Sequence, residues 1–151
     1  MSAGPRRQLL IGLDAMEWEL VLRWAREGNL PTFRRLMERG TRGELASTSA
    51  QLPDTVWSSL YTGVNPAKLE KWFYVQYDPT TLGLKYLTDD AITRPPFWQL
   101  LGEAGRRVGV VDLPKTRLHP SLNGCQLTNW GAHATTTPRA AVPESLLDEI
   151  E

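Results

Sequence analysis

Apolar and polar positions alternate along this chain in blocks that read as short strands and helices in succession. Gln8-Leu9-Leu10-Ile11-Gly12-Leu13-Asp14 is a continuous apolar run ending in a carboxylate, the pattern of a strand buried on both faces of a parallel sheet. Trp18, Val21, Leu22 and Ala25 follow helical spacing, with Gly28-Asn29 as the stop. Leu30-Pro31-Thr32 opens a second helix with Phe33, Leu36 and Met37 on one face, and Gly40 closes it. Residues 43–48 read as a second strand. Pro95-Pro96 starts a helix from Phe97 to Ala104, with Phe97, Leu100, Leu101 and Ala104 on the apolar face, and Arg107 to Asp112 reads as another buried strand. Such alternation of helix and strand predicts parallel α/β architecture. Residues 113–137 read as loop, and Pro143 to Ile150 as the start of a helix in which the sequence stops. A helix without a C-cap predicts a piece of a longer domain.

Between the second strand and the third helix lie the two least regular stretches. Leu52-Pro53-Asp54-Thr55-Val56-Trp57-Ser58-Ser59-Leu60-Tyr61-Thr62-Gly63-Val64-Asn65-Pro66 reads as a loop entering a short helix, with Thr55 at or beside the N-cap and Gly63 with Asn65-Pro66 as the stop. A hydroxyl there faces unpaired backbone N–H groups and the positive end of the helix dipole, so Thr55 reads either as a cap or as a nucleophile beside an anion site. Asp14 is open in the same way: an N-cap for the next helix, or a ligand at the carboxyl end of a strand, where open α/β sheets place their sites. Trp72, Phe73, Tyr74, Tyr77 and Tyr86 lack helical period and surround Asp78-Pro79-Thr80-Thr81, which predicts an irregular excursion or short hairpin. These aromatics could wall a pocket or make a small second core.

Composition narrows the function classes. With 17 basic and 17 acidic side chains the net charge is zero, so no global field favours nucleic acid or an anionic membrane. One cysteine, Cys125, excludes an internal disulfide framework and reads as a quiet thiol. The basic N-terminus, Met1 to Arg7, precedes an apolar run, Leu9 to Leu13, too short for a signal or a membrane span, so the cytoplasm is the expected compartment. Arg34, Arg35 and Arg39 read as a solvated face, with a phosphate patch as the alternative. A dinucleotide-binding domain is disfavoured because Asp14-Ala15-Met16, not a glycine-rich loop, follows the first strand.

The strand ending in Asp14, the phrase Asn29-Leu30-Pro31-Thr32-Phe33, and Trp57-Ser58-Ser59-Leu60-Tyr61-Thr62-Gly63-Val64-Asn65-Pro66-Ala67-Lys68, in that order, resemble the type I phosphodiesterase/nucleotide pyrophosphatase family of the alkaline phosphatase superfamily. The resemblance implies an α/β fold, the N-terminal part of a doubly wound, mostly parallel sheet that is incomplete in this chain. Residues 1–151 would be that part of the domain, with 1–7 a flexible N-terminus. It also implies two divalent metal ions, zinc being the usual one, and hydrolysis of phosphate esters or diesters on a Thr or Ser nucleophile. By resemblance Asp14 is a metal ligand, and Thr55 is the catalytic nucleophile and a ligand.

This sequence departs from the family at three places. Counting back from Thr62-Gly63 puts the nucleophile on Pro53, with Thr55 the nearest hydroxyl; Leu69-Glu70 stands where the family has His-Gly; and no Asn stands near Tyr74. Two metals need about six ligands, yet only His119 and His133 are present and neither belongs to a paired motif. The remaining ligands are therefore expected outside this chain. The expected partner is a small-molecule phosphate ester, with no nucleic acid and no membrane segment, and an incomplete sheet could associate with another. The alternative is a catalytically inactive α/β binding or interaction module on the same scaffold, its partner surface the aromatic segment from Trp72 to Tyr77.

Overall fold

Strands survive here only where a second strand is available to complete their hydrogen bonds. The computed structural model describes residues 7–47, 55–71, 73–86, 88, 91–131 and 138–150, and the chain divides into two compact units, Met1–Leu45 and Ala46–Glu151.

The first unit contains helices α1 (Trp18–Arg26) and α2 (Pro31–Arg39). Val21, Leu22 and Ala25 are buried on α1, as the spacing predicts, and Gly28 at φ 88° takes the left-handed turn that ends it. Pro31 opens α2 in the first turn, where its missing N–H costs nothing, and the N–H of Gly40 bonds back to Leu36. The expected face of α2 is only partly realised: Phe33 and Met37 are half-buried, and Leu36 is exposed.

The expected first strand, 8–14, does not form. Residues 8–13 have no regular structure, and Leu9 is 85% exposed, with Leu10, Ile11 and Leu13 also exposed. The described residues of this unit include no strand to complete its ladder, and a lone extended segment has no reason to hold strand geometry. The expected strand at 43–48 fails likewise: 43–47 are exposed without ladder bonds, and Thr48 lies outside the described residues.

In the second unit, α3 (Val56–Thr62) and α4 (Pro66–Leu69) are followed by the antiparallel hairpin β1 (Val75–Asp78) and β2 (Gly83–Tyr86). This is the short hairpin that the aromatic segment predicts. The Asp78 carboxylate accepts the Thr80 N–H at 2.9 Å, which fixes the turn and lowers the carboxyl pKa below its ordinary value. After α5 (Phe97–Glu103) comes a three-stranded sheet in the order β3 (Val108–Val111), β4 (Gly124–Thr128), β5 (Ala140–Val142). β3 and β4 are parallel, pairing Val108 with Gly124, and β4 and β5 are antiparallel, pairing Gln126 with Val142.

Three expectations change in this unit. The stretch 113–137 contains β4, a strand that carries the buried polar Gln126 in place of an unbroken apolar run. The buried residue of α5 is Trp98, in a cluster with Tyr61 of α3 and Val110 of β3, whereas the expected face of Phe97, Leu100, Leu101 and Ala104 is exposed. Residues 144–146 form a single 3-10 turn continued by i→i+3 bonds to Ile150, not an α-helix.

The core of the unit is Tyr61 of α3, Trp98 of α5 and Val110 of β3, with Trp57, Ile92, Val108, Leu113 and Leu122 around it. The Tyr61 and Trp98 rings meet at 5.2 Å and 54°, within the favoured range for tilted aromatic pairs. Mixed helices and strands with small parallel and antiparallel pairings are consistent with part of an α/β alkaline-phosphatase-like fold.

Candidate functional site

Thr55 is the N-cap residue of α3, the position its sequence context predicts, but its side chain caps nothing. Its backbone is near the helical region, φ −103° and ψ −1°, whereas a capping side chain reaches the N2 or N3 N–H from extended backbone. Thr55 is 2% exposed. Its carbonyl accepts the buried Ser58 hydroxyl at 3.1 Å, and Thr62 in turn donates to the Ser58 carbonyl at 2.6 Å. Gly63 then closes α3 in the left-handed conformation at φ 67°, and Asn65 caps α4 by accepting the Lys68 N–H at 3.1 Å.

Asp14 belongs to the other unit. It is exposed, in a turn beside Ala15 at φ 51°. The N-cap of α1 is Glu17, so the capping alternative for Asp14 does not hold. Pro53, Trp72 and His133 lie outside the described residues. Arg34 pairs with Glu38 at 2.9 Å on the solvated face of α2, as expected for charges of that spacing.

Below the core, the segment after β3 is built into a fixed loop. The Tyr61 hydroxyl donates to the Lys115 carbonyl at 2.7 Å, tying α3 to that loop. Thr116 donates to the Leu113 carbonyl at 2.8 Å. Gln126, 0% exposed on β4, donates to the Arg117 carbonyl at 2.9 Å and accepts the His119 N–H at 3.1 Å. These bonds pin the loop at both ends. Burial, and secondarily the Arg117 charge, hold the His119 imidazole below its ordinary pKa of 6.5.

A cavity of about 10 Å³ opens here, lined by Tyr61, Arg94, Trp98, Thr116, Arg117 and His119 among others. Trp98 is 1% exposed, and its Nε1–H has no acceptor among the described residues.

Sequence reasoning passed over one carboxylate. Asp112 stands just past the end of β3, at φ 52°, and accepts the Trp130 N–H at 2.9 Å, while a Cβ on Gly131 would strike the same carboxylate. The cue used for Asp14, an apolar run ending in Asp, applies equally to Val108–Asp112. Gln126 and Tyr61 carried no such cue, since a glutamine in a loop-like stretch and a tyrosine in a helix are each unremarkable until the loop between them is placed.

The donor set for two metals is not assembled by these residues. Among the described residues no three His, Cys, Asp or Glu side chains come together as a group able to hold a metal ion. No helix among them is long and apolar enough to cross a membrane.

No curated protein and no solved structure gives a significant match. The family model described as type I phosphodiesterase / nucleotide pyrophosphatase matches residues 8–146, nearly the whole chain and all three phrases on which the resemblance rests. By that match the chain belongs to the type I phosphodiesterase / nucleotide pyrophosphatase family, whose members act as hydrolases on phosphate esters.

Proposed function

We propose that this chain is the N-terminal part of a metal-dependent phosphate-ester or phosphodiester hydrolase, with Thr55 as nucleophile and Asp14 as one metal ligand. The observation that carries the reading is the family match over residues 8–146. Two features of the residues support the roles. Thr55 stands at the start of α3, and Asp14 is an exposed carboxylate in a turn. In the proposed step the Thr55 oxygen forms a bond to phosphorus as the bond to the leaving alkoxide breaks, and that alkoxide takes up the proton given up by the threonine. Water then restores the threonine hydroxyl and releases phosphate from a monoester substrate or the phosphate monoester from a diester. The residues described do not fit a complete metal centre, so this reading assigns the remaining ligands to groups outside the chain. The burial of Thr55 sets a further condition, that its hydroxyl be uncovered when substrate arrives.

The test is hydrolysis of an activated aryl phosphodiester with zinc present, in a protein that carries this chain together with the groups supplying the remaining ligands, comparing native Thr55, Thr55→Ser and Thr55→Ala. Activity kept by Ser and abolished by Ala is the expected result; equal activity in Ala removes Thr55 from the chemistry. Asp14→Ala should weaken zinc binding measured by competition with a chromogenic chelator, and unchanged affinity would end its assignment.

A second reading, an inactive binding module, has its own observation. Phe73, Tyr74, Tyr77 and Tyr86 on or beside the hairpin are all exposed, and the Phe73 and Tyr74 rings meet at 4.5 Å, tilted by 42°. Under that reading Thr55→Ala changes nothing, while Tyr77→Ala abolishes partner capture. Association through an incomplete sheet belongs to either reading. Its support is that β3 is an edge strand among the described residues, and concentration-dependent sedimentation tests it.

A further inference from the structure

The cavity beneath Tyr61 and Trp98 combines features that no role proposed so far uses. It has room for about one water-sized group. Its rim carries two exposed guanidinium groups, Arg94 and Arg117, and no carboxylate lines it. Among the described residues neither arginine makes an ion pair. Trp98, which lines the cavity, carries a buried Nε1–H with no acceptor among the described residues. A buried polar group left unpaired is uncommon and asks for a partner of opposite character, here an acceptor. The ring of His119, also on the wall, makes no hydrogen bond among the described residues.

We infer that this cavity is a binding subsite for a phosphate group, one oxygen of which enters to accept the Trp98 Nε1–H while Arg94 and Arg117 hold the others at the mouth. A planar guanidinium matches two oxygens of a phosphate, and two of them oppose its charge. A neutral ligand would leave both arginines without compensation, and a cation would be repelled by them. The loop that carries Arg117 is fixed from both sides, by Gln126 and by the Tyr61 bond to Lys115, so the site is largely preorganised.

The subsite does not depend on hydrolysis, and its test uses neither metal nor turnover, so failure here leaves the proposed catalytic role of Thr55 standing. The melting temperature of the full chain is measured against inorganic phosphate, with sodium chloride at matched ionic strength as control. A saturable rise with phosphate beyond the chloride control is expected, since a ligand that binds only the folded state stabilises it. Arg94→Gln and Arg117→Gln, both at exposed positions, should each weaken the apparent affinity about tenfold or more, the loss expected for a charge-assisted bond. Trp98→Phe, which keeps an aromatic ring and removes the N–H, should weaken it as well. Glycerol 3-phosphate in place of the free ion separates the sources. Saturation by either ligand supports the subsite and identifies whether free phosphate or a monoester fills it. Saturation by neither, or a response unchanged in both arginine variants, overturns it.

Discussion

Replacing Gln126 by Leu tests whether one buried amide holds the loop after β3 in place. Gln126 is wholly buried and joins two backbone groups, accepting from the His119 N–H at 3.1 Å and donating to the Arg117 carbonyl at 2.9 Å. Leucine has nearly the same volume, so no large cavity is made, but both backbone groups lose their partner. Leaving a buried donor or acceptor unsatisfied costs about 1–3 kcal/mol each. The His119 N–H is buried and takes the full cost, whereas the Arg117 carbonyl is closer to water and takes less. Some of the loss is offset because leucine is more favourably buried than an amide, which leaves a net destabilisation of roughly 2–3 kcal/mol. With a urea dependence of about 1–2 kcal/mol per molar, the unfolding midpoint should fall by ~1–2 M with an unchanged slope. Far-UV circular dichroism follows that transition, and hydrogen exchange at the His119 amide should accelerate by the same free energy. A midpoint within error of the native protein, or an unchanged exchange rate, refutes the assignment. Gln126→Glu is a second check: it keeps an acceptor for His119 but removes the donor to Arg117 and buries a charge, so it should be at least as damaging.

Three other outcomes follow from single positions. Gly124→Ala should abolish the β3–β4 pairing, seen as loss of strand signal, because at φ 144° its Cβ would overlap the Val108 backbone; Gly109→Ala, which meets only the Cys125 sulfur at 3.5 Å, should be neutral within about 0.5 kcal/mol. Asn65→Ala should cost ~1 kcal/mol in urea unfolding, since it removes the bond to the Lys68 N–H that starts α4. For His119, burial keeps the folded-state pKa below the unfolded value of 6.5, so the unfolded chain binds more protons as pH falls through that value. Stability should therefore drop from pH 7 toward pH 5 and level off once the folded-state pKa is passed; His119→Gln should flatten that slope, and a slope unchanged in the variant would contradict it.

The helices and their ends were legible in the sequence because they rest on neighbours a few residues away. The spacing of Val21, Leu22 and Ala25, the glycine stops at 28 and 63, and Pro31 at a helix start are local cues, and each is found where the pattern puts it, whereas Asn65-Pro66 reads in the sequence only as the stop of α3 and in the structure also starts α4. Even so, locality misjudged α5, where four apolar residues compete for burial and the outcome depends on which one faces Tyr61. Strands were less legible because their stability lies in a partner that periodicity does not identify. β4 interrupts its apolar run with Gln126, whose burial makes sense only once the carbonyl of Arg117 and the N–H of His119 lie beside it.

Asp14 and Asp112 show how far the same cue reaches. Each ends an apolar run of the kind that forms a buried parallel strand. Val108–Val111 has β4 to pair with, so Asp112 stands at the carboxyl end of an actual parallel strand and is positioned by the Trp130 N–H. Residues 8–13 have no strand partner among the described residues of their unit, so Asp14 stands in an exposed turn. The run therefore encodes a capacity for strand formation, and the partner determines whether it is used. A carboxylate becomes a site-forming group through the same condition, because only a completed ladder fixes its backbone closely enough to share a ligand with residues from other strands. For Asp14 that condition makes its proposed metal role depend on what pairs with residues 8–13. Zinc affinity that rises when an added partner orders this segment, and is lost in Asp14→Ala, is the result this dependence requires; affinity indifferent to the segment's order would separate the two.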